Sequence, residues 1–161
     1  MTYSSKRTVA SIVMGLLVSA AYMIYAIFGN SPESGDLKSW AMTMLVFIGI
    51  GVVAAIMIEI IFYIAGTIGI AIREREQDEK KVQRTVSSLM LEDEMEKLIR
   101  LKSAHIGYIF AGVGFVAALV TISFDWSAVF ALHMLFGSFV IGSIAEGVMK
   151  VYYYENGVRN G

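Results

Sequence analysis

Five ionisable residues lie in or beside the apolar stretches of this chain: Glu59, His133 and Glu146 within them, His105 and Lys150 near their edges. In a hydrocarbon layer a charged side chain costs at least a few kcal/mol, so it must be protonated, paired or turned toward a water-filled path. An intramembrane acid is therefore the first place to look for function. Glu59 allows two readings. Deep in the hydrocarbon it is a proton or cation site; nearer the headgroups it is an anchor, paired with Lys150, His105 or a base of the charged segment that follows. Glu146 has Lys150 four residues on, which predicts a local ion pair along one helix face. His133 is expected to hydrogen-bond across a helix contact to a serine, threonine or carbonyl, with Thr43 at similar depth.

These residues do not make a metal or haem pattern. Two His at unrelated positions and no Cys fall short of one, although Glu59, His105 and Glu146 can share a level. Without Cys there are no disulfides and no thiolate chemistry. The sequence contains no P-loop, no G-x-S-x-G and no H-E-x-x-H, and Gly49-Ile-Gly51 lacks the strand a nucleotide fingerprint needs. No cofactor is implied, and no motif supports an enzyme.

What must hold the five residues is a set of four apolar runs, 8–28, 41–72, 106–124 and 128–154, interrupted by only three charged residues, Glu59, Glu146 and Lys150. Each is long enough to cross a ~30 Å hydrocarbon layer as a helix rising about 1.5 Å per residue. The 161 residues, 57% hydrophobic, then form one membrane domain spanning 1–161. The predicted fold is all-α: an integral membrane four-helix bundle of two antiparallel hairpins, 8–72 and 104–154, with a charged cytoplasmic linker at 73–103. A net charge of −1 gives no indication of a nucleic-acid partner. The length of the first run, which continues through Tyr22 to Phe28, favours a retained span over a cleaved leader.

Basic residues orient the spans. Lys6, Arg7, Arg73, Arg75, Lys80, Lys81, Arg84, Lys97, Arg100, Lys102, Lys150 and Arg159 fall on one side and Lys38 alone on the other. The positive-inside rule places the first group, with both termini, in the cytoplasm of a cell membrane. Trp40 and Trp126 are then expected at the outer interface and Tyr152, Tyr153 and Tyr154 at the inner one. By helical rise Glu59 lies about 28 Å from Trp40, and Glu146 about 30 Å from Trp126, both toward the inner side.

The linker 73–103 carries eight basic and eight acidic residues, so it is no polybasic lipid hook. Leu91, Met95, Leu98 and Ile99 recur at helical spacing, and Asp93–Lys97 and Glu96–Arg100 are i, i+4 pairs on the other face. That pattern predicts an amphipathic helix from about Leu89 to Lys102, capped by Ser87 or Ser88 and running into the third span. Its stripe either packs within the protomer or docks a cytoplasmic protein partner. The segment 91–103, LEDEMEKLIRLKS, resembles an uncharacterised family of small bacterial four-span membrane proteins. There an acidic D-E pair leads into K-L-I-x-L-K before the third span. Asp93, Glu94, Lys97, Leu98, Ile99, Leu101 and Lys102 carry the likeness, with Met95 where Arg is common; it implies the architecture and no activity.

The two hairpins invite comparison as a repeat, because Trp40 precedes Glu59 by 19 residues and Trp126 precedes Glu146 by 20. Small residues form stripes suited to helix contact: Ser11, Gly15 and Ser19; Gly107, Ala111, Gly114 and Ala118; Ser143 and Gly147. Such stripes serve the bundle itself or a homodimer. Two functional readings follow. One is a membrane-embedded binding, regulatory or assembly protein acting through its cytoplasmic helical segment. The other is a small dimeric transporter or channel with Glu59 as its proton or cation site and Glu146 in support.

Overall fold

The computed structural model describes residues 3–29, 31–74 and 82–158, without the side chains of 66–74 and 82–93. The described residues form four helices: α1 (Tyr3–Phe28), α2 (Leu37–Glu74), α3 (Val82–Ser123) and α4 (Ala128–Asn156). Each is long and apolar enough to cross a membrane, and the fold is an all-α bundle of a multi-pass membrane protein. The helices exceed the apolar runs because hydropathy marks only the part that needs hydrocarbon; polar residues continue the helix into the headgroup zone. α3 shows this most. It starts at Val82, without a break or cap at Ser87 or Ser88, so the expected amphipathic helix and third span are one rod.

The connections follow from local chemistry. Asp36 caps α2: its carboxylate accepts from the Ser39 amide at 3.1 Å and the Ser39 hydroxyl at 2.5 Å. α3 ends in a Schellman motif, with Asp125 left-handed at φ 57° while Trp126 N–H donates to the Thr121 carbonyl and Asp125 N–H to that of Ile122. Ser127 then caps α4, its hydroxyl accepting from the Val129 amide at 3.3 Å.

α4 is the organising helix. It packs most extensively on α3, next on α1, and meets α2 only over a small area, while α2 and α3 do not pack together among the described residues. Glycines permit the closest approach. A Cβ at Gly142 would stand 2.9 Å from the Gly107 carbonyl oxygen, and one at Gly114 only 2.1 Å from the Ser138 Cβ. The expected stripe on α3 is thus an intrachain contact face. Gly147 does the same for α1, where a Cβ would meet Ile12 Cγ1 at 2.6 Å. Gly15, in contrast, faces open space.

Away from the linker the buried apolar core gathers at the end bearing the 29–36 loop, where Tyr22, Trp40, Met44 and Val129 pack with Ala26, Phe47, Leu132 and Phe136. Trp40 departs from expectation. It is 7% exposed, its indole N–H donating to the Glu33 carbonyl at 3.1 Å, whereas Trp126 is 59% exposed as an interfacial ring should be. Most other large apolar side chains, such as Leu45, Val53, Ile60, Val113 and Phe139, face outward, the arrangement that hydrocarbon solvent favours.

Candidate functional site

The end opposite the aromatic core is polar, and Arg7 stands at its centre. One turn into α1, its guanidinium reaches Glu59 Oε2 of α2 at 3.3 Å through Nη1 and Glu96 Oε1 of α3 at 2.7 Å through Nη2. The Tyr154 hydroxyl of α4 donates to the same Glu96 oxygen at 3.4 Å. One arginine thereby links all four helices. A planar fork with five donors suits this task, since two carboxylates can be held in fixed directions. Around it, the Ser5 hydroxyl donates to Glu155 Oε1 at 2.6 Å, and the Tyr3 hydroxyl donates to the Phe62 carbonyl. Those bonds bring the start of α1 beside the end of α4 and the Glu59–Phe62 stretch of α2.

The partner of Glu59 is one that neither of its readings named. The Glu59 side chain is 58% exposed and its cation is Arg7, not Lys150, His105 or a described base of the linker. Sequence spacing offers no pointer to that partner, because a base ahead of a span reads first as an orientation signal. Glu146 behaves as its spacing predicts, pairing with Lys150 Nζ at 2.6 Å. Its carboxylate also lies over α3, where the missing side chain of Gly107 makes room: a Cβ there would be 3.0 Å from Glu146 Oε2. Glu59 and Glu146 therefore have separate cations.

His105 is exposed on α3 and joins neither carboxylate among the described residues. His133 lies at the other end. Its Nδ1 pairs with the carbonyl of Val129 one turn back, at 2.8 Å, rather than with Thr43. The imidazole packs edge-on to Trp40 with ring centres 4.6 Å apart and lies 6.2 Å from the ring of Tyr22. This is a polar ring built into an aromatic core. The Tyr22 hydroxyl in the same core, and that of Ser103 in α3, are buried with no hydrogen-bond partner among the described residues. No group of three His, Asp or Glu side chains among the described residues is placed to hold a metal ion.

The apolar stripe divides. Ile99 is 3% exposed and packs into the protomer, whereas Met95 (48%) and Leu98 face outward. The side chain of Leu91 lies outside the described residues. Glu96 turns to Arg7 and Tyr154 instead of its i+4 neighbour Arg100. Spacing along the chain pairs Glu96 with Arg100 and uses Arg7 and Tyr154 only to orient the spans, so it does not join these three into a site.

No family model, curated protein or solved structure matches the chain.

Proposed function

We propose that the protein is a membrane-embedded binding or regulatory protein whose cytoplasmic stretch of α3 reports to, or receives from, the bundle. The observation that carries this reading is the attachment of Glu96 to Arg7 on a helix that continues unbroken from Val82 to Ser123. The part before Ser103 is on the order of 30 Å long at 1.5 Å per residue. A rod of that length, gripped at its base by an arginine that also holds α2, transmits tilt rather than absorbing it in a hinge. Met95 and Leu98 supply outward apolar side chains just beyond the grip.

The twelve-to-one distribution of Lys and Arg supports a cell membrane location with both termini and 73–103 in the cytoplasm. The likeness of 91–103 to small bacterial four-span proteins supports a bacterial source. Against the transporter reading stand the separate cations of Glu59 and Glu146 and the absence, among the described residues, of a contact between the two carboxylates.

The test joins two measurements on reconstituted protein. A double electron resonance distance between spin labels at Met90 and Phe139 should broaden and shift in Arg7→Gln while the far pair at Ile109 and Phe139 stays fixed. If cation or proton flux appears in vesicles and Glu59→Gln abolishes it, the regulatory reading fails and the transporter reading replaces it.

A further inference from the structure

Between α1 and α4 lies a cavity of about 160 Å³, outside the Arg7 site, whose lining includes Ser11, Gly15, Ser143, Glu146, Gly147 and Lys150. The cavity opens to the outside of the two helices and has room for a small polar headgroup. The two helices around it are otherwise apolar on the outside: Val13, Leu16 and Leu17 on α1, and Ile141 and Val148 on α4, are all exposed. A molecule lying in a bilayer along those faces can reach the cavity with its headgroup.

Its wall carries both signs of charge. Lys150 Nζ and Glu146 Oε1 are 2.6 Å apart, and both side chains keep more than a quarter of their surface exposed. A purely anionic group brought to the ammonium meets the carboxylate, and a simple cation meets the ammonium. A zwitterion satisfies both at once, its phosphate accepting from Lys150 and the serine hydroxyls and its ammonium donating to Glu146. The ammonium must be primary, because a quaternary one has no N–H to donate. Gly15 leaves the rim open, since nothing lies within 4 Å of where its Cβ would be.

We propose that this notch binds one phospholipid with a primary-ammonium zwitterionic headgroup of the phosphoethanolamine type, acyl chains remaining in the bilayer along α1 and α4. The test is native mass spectrometry of the full-length protein, delipidated in detergent and given phosphatidylethanolamine, phosphatidylcholine or phosphatidylglycerol with identical acyl chains. One phosphatidylethanolamine should be retained with several-fold preference over the other two. Glu146→Gln should reverse that order toward phosphatidylglycerol, because it frees Lys150 for an anion. Gly15→Leu, whose Cβ meets nothing within 4 Å and whose longer side chain fills the rim of the notch, should abolish retention, while Gly15→Ala, which adds only that methyl, should keep both retention and the melting temperature. The proposal is overturned if the unmutated protein holds phosphatidylglycerol as well as phosphatidylethanolamine, or if neither Glu146→Gln nor Gly15→Leu alters retention. Displacement of the lipid by an equal concentration of soluble phosphoethanolamine would overturn the assignment to a lipid.

Discussion

The second hairpin holds itself together; the first is held by others. α3 and α4 are joined by a Schellman turn and approach closely at Gly107–Gly142, backbone to backbone, and at Gly114, beneath the side chain of Ser138. α1 and α2 leave the longer 29–36 loop, and α1 packs more on α4 than on its own hairpin partner. The charged landmarks differ in reach: Glu146 pairs within α4, whereas Glu59 pairs across the first hairpin with Arg7 of α1. Trp40 is buried and Trp126 exposed. Residues that match by spacing thus occupy unlike surroundings. The lesson is that van der Waals fit secures the α3–α4 pair, whereas polar bonds at one end and aromatic packing at the other secure α2.

The largest effect should come from breaking the fit. Gly142→Ala sets a methyl 2.9 Å from a backbone oxygen that cannot rotate away, and Gly114→Ala meets the Cβ of Ser138. Overpacking of this kind costs about 1–3 kcal/mol, more where backbone must move. Reversible unfolding in mixed micelles should show both losses, while Gly49→Ala and Gly112→Ala, which point into open space, stay within about 0.5 kcal/mol of the parent. Equal losses at all four positions would mean that close approach does not set the response, since helix propensity alone favours Ala over Gly.

Next in size is the grip of Arg7. Removing a charged partner from a half-buried bond leaves the other group short of a donor, a loss of about 1.5–3 kcal/mol. Arg7→Gln should fall in that range, and a cycle with Glu96→Gln should return a coupling of about 1 kcal/mol. Glu59→Gln should cost less, on the order of 0–1 kcal/mol, because its pair is longer and the carboxylate is more exposed than that of Glu96. A larger loss at Glu59 than at Glu96 would reverse the assignment of the principal link.

How far these features are legible in the sequence depends on whether they are local. The four spans are, and α4 begins at Ala128 as its apolar run does, because Ser127 caps it. Glu146–Lys150 is, since four residues bring two side chains to one face. Even the carbonyl that receives His133 was within reach of spacing, being four residues back along the same helix. The Arg7 link is of another kind. It needs the Arg7 side chain at the start of α1 to reach α2 and α3 at once, and hydropathy does not specify which neighbours a span will choose when lipid is as apolar as a helix face. Trp40 misleads for a related reason, because an amphipathic ring can be satisfied at the interface or by one carbonyl within a core. Met95, Leu98 and Ile99 share a stripe in sequence, yet only Ile99 finds a protein surface to cover it.

The smallest effect sharpens the comparison at the loops. Asp36 holds the start of α2 from an exposed position, and the two bonds from Ser39, hydroxyl first and amide second, keep its carboxyl below the ordinary aspartate range. A depressed folded-state pKa means that the contribution is present above the unfolded value near 3.9 and is lost as pH falls through the folded one. Lowering the pH from 6 toward 3 should therefore speed amide exchange at Ser39 and Trp40. Asp36→Ala should bring the same rate at pH 6 and remove the pH dependence, and Asp36→Asn should keep the slow rate at both. The turn at Asp125 has no such cap to lose, since its bonds run between backbone groups. Exchange at Trp126 should then stay level over the same pH range once intrinsic rates are divided out. If it accelerates in step with Ser39, the acid-sensitive element is the bundle as a whole and not the cap of α2.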